Sequence, residues 1–439
     1  MTDQTGGHPN VAGGASATRV LLLSEYFPRD AETHVNGVYQ RLRSHVVALQ
    51  RVGAVDLVFF WSGGQPVAKS RTEGEAAFRA AWGFEGRIWF IPTDRIAGRP
   101  PRERLTDWLW ALRGAVGFFS GKPTQRTGRA PQIRALEKIL SAHNYDLVFA
   151  HRVAVAAALV RLGSRSPRFV VDFDDLEHVK FSRRPSSERT PGAWIGRMWT
   201  WTFALRAERL AAGRAAISLV CSEADRRRLL KLSPDARIAV VANSADPNVL
   251  PSEADEPIAL FVGAAHYEPN SDGVRWLVAR VWPRIRARMP SARLVIVGVG
   301  SRELGIEDES LGIRALGFQK DLAQVYGQAA IALAPIHGGG GTRIKIIEAA
   351  MHALPVVSTT IGAEGLDFVH DAEIVIADDA AAFAEACLML LGQPKKRREI
   401  GLAARVKALQ EYSPRAIRDR LISICEDGCR ISGCPAEFR

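Results

Sequence analysis

The residues whose types and spacing best suit ligand binding lie between Ile331 and Gly365. An apolar run rich in β-branched residues ends at Pro335, four glycines occupy positions 338–341, and a helical pattern begins at Thr342. Backbone N–H groups are accessible where no Cβ blocks the approach, and the start of a helix adds partial positive charge. The order of strand, glycine loop and helix therefore predicts an anion-binding site. A flexible turn is the alternative interpretation of the glycines.

Charged side chains follow the loop on the same helix. Arg343 and Lys345 bring two positive charges to the glycines, and Glu348 follows Lys345 by three residues, so the two side chains share one side of the helix. A carboxylate beside a phosphate site would suit a sugar hydroxyl better than the phosphate itself. The pattern predicts a site for a nucleotide diphosphate, and a solvated pair of Lys345 and Glu348 is the simpler alternative.

Strands and helices must alternate along the chain to position these residues. Strand-like runs occur before and after a polar, proline-marked connector, at 19–24, 55–61, 87–91, 146–150, 169–173, 217–221 and 238–241, and then at 258–262, 294–297, 313–316, 331–335, 356–359 and 374–376. This alternation predicts an α/β fold of two Rossmann-like, doubly wound parallel-sheet domains, with the ligand cleft between the carboxyl ends of both sheets.

The predicted boundaries follow from the same pattern. They are a disordered leader at 1–18, a first domain at 19–246, a linker at 247–257, a second domain at 258–412, and a C-terminal helix and tail at 413–439 that cross back over the cleft. The leader is polar and has no basic and apolar signal-peptide regions, so we expect a cytoplasmic protein. The five cysteines are an odd number in a long chain, which favours free thiols.

Two polar residues at strand ends of the first domain are expected to project into the cleft. His151 ends the run YDLVFAH, and Asp174 ends RFVVDFD. A satisfied strand-end histidine is the alternative for His151, and a helix cap or a partner for Arg183 and Arg184 is the alternative for Asp174. Asp172 and Asp174 form a DxD sequence, which we interpret as coincidence because the donor features lie in the other half of the chain.

The positive charge is concentrated in the first half. The net charge is +11 overall, and the excess of basic residues falls within 1–250. No nucleic-acid-binding motif accompanies it, so we predict an anionic membrane surface as a partner and no nucleic acid. Within 99–129, basic residues flank apolar ones that would suit a helix lying in a membrane interface, namely Trp108, Leu109, Trp110, Phe118 and Phe119. A second aromatic stretch at 194–210 is similar, and core packing is the alternative for both.

The second half resembles the donor-binding domain of the retaining GT-B glycosyltransferases of the "glycosyl transferases group 1" family. The resemblance covers about 241–410, in family order: VANSADPN, FVGAAHYEPNSDGVRWL, ARLVIVGVG, IRALGFQKDLAQVYGQAAIALAP and GGGGTRIKIIEAAMHALPVVSTTIGAEGL. It implies a GT-B fold in which Glu348 binds the ribose hydroxyls, and Gly317 and Phe318 meet the base. In the first domain the resemblance is weaker, and Asn36 and Gly37 stand where many members have a Gly-Gly loop.

Two departures from the family pattern affect the expected site. Members often carry two glutamates eight positions apart, and the first position here is Gly340. The Arg and Lys that commonly hold the diphosphate after the first strand of the donor domain are replaced by Ala264 and Asn270. A leaving diphosphate still needs cationic or N–H stabilisation. Arg343 and Lys345 are the expected substitutes, with further donor contacts from residues around them, namely Gly263, Asn270, Gly340, Gly341 and Thr342.

The resemblance implies a retaining, metal-independent glycosyltransferase of bacterial surface-polysaccharide biosynthesis without a cofactor. Its substrates would be a nucleotide sugar and a lipid-linked or polysaccharide acceptor, placing the protein peripherally at the inner face of the cytoplasmic membrane. Asp174, His151, Arg343 and Lys345 are the predicted catalytic residues. Two alternatives remain: a nucleotide-sugar epimerase of the same fold, and a non-catalytic relative that assists assembly. A cleft sealed from lipid would favour the epimerase, whereas loss of the first glutamate favours the non-catalytic protein.

Overall fold

The structure is a computed structural model that describes residues 18–27, 37–61, 67–93, 130–183, 191–247, 249–251, 254 and 256–431. Its first sheet has seven parallel strands in the order β3-β2-β1-β4-β5-β6-β7. The strands are β1 (Arg19–Ser24), β2 (Ala54–Trp61), β3 (Ile88–Pro92), β4 (Leu147–His151), β5 (Phe169–Asp172), β6 (Ile217–Val220) and β7 (Ile238–Val240). Strands β2 and β3 are added on one side of β1, and β4 to β7 are added on the other side. The strand order therefore reverses between β1 and β4, and such a switch point opens a crevice at the carboxyl ends of the strands.

Helices cover both faces of this sheet. They are α1 (Gly37–Val52), α2 (Val67–Trp82), α3 (Ala130–Ala142), α4 (Val153–Leu162), α5 (Glu177–Ser182), α6 (Pro191–Ala212) and α7 (Glu223–Leu232), with a 3₁₀ turn at Gly163–Arg165. Strand residues that alternate between the faces fill two separate cores, one containing Leu21 and Leu23 and the other Val20 and Leu22. Burial on both faces explains why β1 is a continuous apolar run.

The second sheet has six parallel strands in the order β10-β9-β8-β11-β12-β13. The strands are β8 (Ile258–Val262), β9 (Arg293–Val297), β10 (Ile313–Gly317), β11 (Ile331–Ala334), β12 (Val356–Ser358) and β13 (Val375–Ile376). Its switch point lies between β8 and β11, so the loops after these two strands border the crevice. The glycine loop is the loop that follows β11.

The helices of the second domain are α8 (Glu268–Trp276), α9 (Trp282–Arg288), α10 (Leu322–Gly327), α11 (Ile344–Met351), α12 (Thr360–Ala363), α13 (Ala380–Gly392) and α14 (Pro394–Glu411). A π-helical turn, Leu277–Val281, joins α8 to α9, and Arg302–Leu304 forms a 3₁₀ turn. The final helix, α15 (Pro414–Ile431), returns to the first domain, where Ile417, Leu421 and Cys425 join the core formed by α1 and β1.

The fold predicted from the sequence is confirmed, because every predicted strand run overlaps an observed strand and all pairings between strands are parallel. The helix after the glycine loop begins at Ile344, two residues later than predicted, because Arg343 is its extended N-cap residue. Within the described ranges, no helix is both long and apolar enough to cross a membrane.

The second aromatic stretch is divided between two environments. In the C-terminal half of α6, Ala204, Ala207 and Ala211 are buried in the core of the first domain. In its N-terminal half, Met198 and Trp199 are exposed. Core packing therefore explains half of this helix. The segment predicted to lie in a membrane interface, with Trp108, Leu109, Trp110, Phe118 and Phe119, falls outside the described residues.

Candidate active site

The glycine loop is held in shape from within by Arg343. This guanidinium donates from Nη2 to the carbonyl oxygen of Gly338 at 2.9 Å, and from Nη1 to the carbonyl oxygens of Gly341 at 3.0 Å and Gly340. Gly339 and Gly341 have φ values of 87° and 75°, in the left-handed region that glycine adopts freely. Arg343 therefore stabilises the loop conformation and is largely buried behind it.

Lys345 extends from α11 to the end of β8. Its Nζ donates to Oδ1 of Asn270 at 2.8 Å and lies 4.1 Å from the ring centroid of Phe261. A Cβ at position 263 would lie 2.7 Å from this Nζ, so the ammonium lies close against the Gly263 backbone. Burial, reinforced by the charge of Arg343, lowers the pKa of Lys345 to about 7. The ammonium lies at the switch point, where an incoming anion would stabilise its charged form.

Glu348 lies one turn further along α11. Its Oε2 accepts a hydrogen bond from the Tyr326 hydroxyl at 3.1 Å. The side chain of Gln40, on α1 of the first domain, also hydrogen-bonds to this carboxylate, while burial raises its pKa. Neither partner is a basic residue, so the carboxylate keeps acceptor capacity for other donors such as hydroxyl groups.

The remaining predicted donor-site residues line the same edge of the second sheet. Gly263 and Gly298 directly follow β8 and β9, and Gly317 is the last residue of the neighbouring β10. The Gly298 amide donates to the Gly317 carbonyl at 2.9 Å. Gly317 has a φ of 72°, and the adjacent Phe318 is about half exposed, with 49% of its surface accessible. An exposed aromatic ring at a carboxyl-terminal edge offers a stacking surface.

Asp174 lies at the carboxyl end of β5, in the first domain, with only 6% of its surface exposed. Its Oδ1 is 3.7 Å from Nε of Arg41, and its Oδ2 is 3.9 Å from Nε of Arg152. Burial first, and then the charge of Asp175, raise the pKa of Asp174 to about 7. Both Asp174 and Arg152 have positive φ values, 57° and 76°. Strained backbone of this kind clusters at functional sites.

Neither alternative suggested for Asp174 is seen in the described chain. The N-cap residue of α5 is Leu176, which makes no side-chain cap. Arg183 pairs with Glu364 of the second domain, with 2.9 Å between its Nη2 and Oε1 of Glu364. Arg184 lies outside the described residues. Asp174 is instead held between the two arginines of its own domain.

His151 does not project into the cleft, which corrects the expectation from its strand-end position. It is fully buried, its Nδ1 lies 3.1 Å from Ser24 Oγ, and its ring packs against His45. Burial lowers its pKa well below the usual value. The strand includes His151, so the next residue, Arg152, is the one that reaches the acidic side chains at the strand ends.

The first aspartate of the DxD sequence has a structural partner. Both oxygens of Asp172 accept hydrogen bonds from Arg41, at 2.7 Å and 2.6 Å, and both side chains are buried. His45, His151 and Asp172 are close enough together to share an ion. However, Arg41 already compensates the carboxylate and would repel a cation, so these three residues do not form a good metal site.

A hydrogen-bonded chain connects this buried pair to the glycine loop. Arg41 Nη1 donates to Oδ1 of Asn243 at 3.1 Å, and Nδ2 of Asn243 donates to Oγ1 of Thr342 at 2.8 Å. Thr342 directly precedes Arg343. The two domains therefore meet at the site itself, and Gly37 adds to this interface because a Cβ there would lie 2.8 Å from Cδ1 of Ile344. Asn36, which precedes Gly37, lies outside the described residues.

Several residues of the site were missed by sequence reasoning. The following residues all contact predicted site residues: Arg41, Arg152, Asp175, Asn243, Tyr267 and Tyr326. Arg152 and Asp175 could have been found, because each directly follows a residue singled out at a strand end. Arg41 and Tyr326 carried no comparable signal, because their contacts join residues that are far apart in the chain.

Comparisons with known proteins agree with this architecture. Residues 256–393 match the family model "Glycosyl transferases group 1", and residues 80–249 match "Glycosyltransferase Family 4". A curated relative, an uncharacterized 44.6 kDa protein in the cps region of Klebsiella pneumoniae, is 28% identical over 137 residues. That match covers 29% of this chain and only 35% of the relative's length.

Solved structures resemble nearly the whole chain. Sucrose-phosphate synthase from Thermosynechococcus elongatus superimposes with a TM-score of 0.67 at 17% identity, covering 93% of this chain and 98% of that one. Anabaena Alr3699/HepE in complex with UDP gives a TM-score of 0.64 at 14% identity, covering 93% and 100%. At these identities the likeness shows the fold alone. The chain therefore contains a group 1 glycosyltransferase domain at residues 256–393 and a family 4 glycosyltransferase domain at residues 80–249, and it has the GT-B fold.

Proposed function

We propose that this protein transfers a sugar from a nucleotide-diphosphate donor to a saccharide acceptor, with retention of anomeric configuration and without a metal ion. The observation that carries the proposal is the placement of Lys345. Its ammonium crosses the switch point to Asn270, beside the glycine loop and one turn from the Glu348 carboxylate. The ammonium and the loop amides suit a diphosphate, and the carboxylate suits the hydroxyl groups of a ribose, so one nucleotide could bind to all of them.

The two positive charges have different roles in this proposal. Lys345 would contact the diphosphate and stabilise its growing charge as the bond to the sugar breaks. Arg343 would act through the loop, since its guanidinium is bonded to loop carbonyls. This assignment differs from the expectation that both side chains bind the leaving group directly.

Asp174 is the proposed catalytic residue of the acceptor side. Its carboxylate could stabilise positive charge on the transferred sugar or orient the acceptor hydroxyl. As the new glycosidic bond forms, the departing phosphate accepts the proton of that hydroxyl, so that a nucleoside diphosphate and a lengthened saccharide are the products. His151 is buried beside His45 and contributes to the support of this strand end.

The acceptor is proposed from the relative and from charge. The Klebsiella relative lies in a cps region, which supports a role in polysaccharide biosynthesis. Anabaena HepE has been solved with UDP and with UDP-glucose, which supports a uridine nucleotide sugar as donor. The basic excess in residues 1–250 favours a lipid-linked acceptor at the anionic inner face of the membrane. The protein would then be cytoplasmic and peripheral.

The decisive experiment incubates the purified protein with radiolabelled nucleotide sugars and membrane lipids, with and without EDTA. We expect label to move into the lipid fraction equally in both conditions. Loss of transfer in EDTA would contradict the metal-free mechanism. Conversion of the donor without any acceptor would identify an epimerase, whereas nucleotide binding without turnover would identify the non-catalytic alternative.

Membrane association can be tested separately with liposomes. Replacing Trp108 and Trp110 with serine should release the protein from anionic liposomes and leave nucleotide binding unchanged, because an interfacial helix anchors through its aromatic residues. Sedimentation of both proteins with liposomes is the measurement. Equal sedimentation would argue against this segment as the membrane contact.

A further inference from the structure

Asp175 places a carboxylate directly on the glycine loop. A Cβ built on Gly341 would lie only 1.8 Å from Oδ1 of Asp175, so the carboxylate packs against the glycine backbone. Asp175 belongs to the first domain and Gly341 to the second, and this contact therefore closes the cleft at the loop. An acidic side chain at an expected phosphate-binding position needs a physical explanation.

The carboxylate of Asp175 is unusual among the acids around it. Asp174 contacts Arg41 and Arg152, and Glu177 accepts a hydrogen bond from Arg152 at 2.8 Å. Asp175 makes no hydrogen bond or ion pair with any residue that the structure describes. Its negative charge nevertheless acts on both sides of the cleft. Burial and the charge of Asp175 both raise the pKa of Asp174 in the first domain and of Tyr267 in the second.

The loop has capacity for an anion at this place. Gly340 is hydrogen-bonded to the hydroxyl of Tyr267, and the loop carbonyls accept from Arg343. Among the described residues, the N–H groups of Gly338, Gly339 and Gly341 have no acceptor. Unpaired amides beside a guanidinium attract a carboxylate as they attract a phosphate.

We propose that Asp175 determines specificity at the donor site by occupying the position of the terminal phosphate when the cleft is empty. This inference rests on the proposed function. A nucleotide sugar carries one charge on each phosphate, whereas the released nucleoside diphosphate gains a further negative oxygen where the sugar was attached. Repulsion by Asp175 is therefore stronger for the product than for the donor. The residue disfavours rebinding of the product and promotes its release.

The test compares Asp175→Asn with the native protein by isothermal titration with inorganic pyrophosphate, UDP and UDP-glucose. We expect pyrophosphate and UDP to bind at least about tenfold more tightly to the variant than to the native protein. The affinity for UDP-glucose should increase by a smaller factor. The difference should shrink at high salt. Asp175→Ala should behave like Asp175→Asn, because removal of the charge is the cause.

Asp235→Asn is the matched control, since it removes the same charge from an exposed position of the first domain. It should leave the affinity for all three ligands unchanged. Equal or weaker binding of pyrophosphate to Asp175→Asn, or no binding to either protein, would overturn the inference. If the protein transfers sugar and Asp175→Asn binds no more tightly, the inference alone fails. If neither protein binds UDP or UDP-glucose, the proposed function fails and the inference about its donor site fails with it.

Discussion

At the scale of single residues, the site depends on two side chains whose protonation is changed by burial. Lys345 lies among Phe261, Asn270 and the start of α11, where desolvation disfavours its ammonium form. Asp174 lies between two arginines, yet burial and the neighbouring Asp175 disfavour its carboxylate form. Both groups have pKa values of about 7, so both change charge near neutral pH.

Lys345 should take up a proton when a diphosphate binds. In the free protein the side chain is mostly neutral above pH 7, and a bound anion stabilises its charged form, so the pKa rises on binding. We expect uptake of close to one proton per UDP at pH 8, and affinity that falls as the pH rises above 7. Titration calorimetry in buffers of different ionisation enthalpy measures this uptake. Lys345→Met should abolish it, and uptake that persists in that variant would exclude Lys345 as its source.

Asp174→Asn should lower turnover without weakening donor binding. Asparagine tolerates the left-handed backbone found at this position, so the fold should be retained. Loss of the carboxylate should reduce kcat by about 10²–10³-fold. In the native protein kcat should rise with pH through about 7 as Asp174 ionises, and this rise should be absent from the variant. A variant with native kcat and the same pH profile would remove Asp174 from the mechanism.

At the scale of elements, one hydrogen-bonded chain fixes the start of α11 relative to the first sheet. It runs from Asp172 on β5 through Arg41 on α1 and Asn243 after β7 to Thr342. These groups are buried, and an unsatisfied buried polar group is costly. The chain therefore gives the glycine loop a defined position that its own residues could not supply.

Asn243→Ala should loosen this connection. The variant leaves the Thr342 hydroxyl without its donor and removes one acceptor from Arg41, which keeps the Val241 carbonyl at 2.9 Å. We expect a loss of about 1–2 kcal/mol in the free energy of unfolding and several-fold weaker UDP binding. Thr342→Val should weaken binding similarly while leaving the Arg41–Asn243 bond intact. Ser244→Ala, at the neighbouring position, is the control, and native UDP affinity in Asn243→Ala would contradict the role of the chain.

At the scale of the whole molecule, an ion-pair cluster is a second contact that holds the two domains together. Arg183 and Arg228, both from the first domain, pair with Glu364 of the second. Burial would raise the pKa of Glu364, but the hydrogen bonds from the two arginines outweigh burial and lower it to about 2. Nearby, a Cβ on Gly365 would lie 2.8 Å from Cβ of Ser222, so the surfaces are in close contact.

Glu364→Gln should shift the molecule toward a more open cleft. The depressed pKa means that the contact stabilises the closed form at neutral pH and is lost as the pH falls from 4.5 toward 2. Since the carboxylate is partly exposed, its contribution should be about 1 kcal/mol and should weaken with salt. Small-angle scattering should show a larger radius of gyration. Glu223→Gln breaks only an ion pair within α7 and should leave the radius of gyration unchanged. Equal radii for Glu364→Gln and Glu223→Gln would show that the Glu364 contact does not hold the cleft closed.

The sequence by itself determined the strands and their parallel arrangement, and it predicted a site at the glycine loop. These features are local. An apolar run bounded by glycine or proline indicates a buried strand, and a strand followed by glycines and the start of a helix presents free amides. The family resemblance added the GT-B architecture, since its motifs recur in the same order along the second domain. Arg343, Lys345 and Glu348 could be predicted as one site because they lie within six residues of one another.

Only the tertiary structure decided what those side chains contact. Arg343 turns into its own loop, His151 packs inside the first domain, and Asp175 reaches a glycine of the other domain. Each of these outcomes depends on groups brought together by packing across the sheets or the cleft, and spacing along the chain carries no information about such neighbours. The pairing of Arg41 with Asp172, 131 positions away, shows the same limit. Periodicity determined where each residue lies, whereas the packing of distant elements determined its partner and its charge.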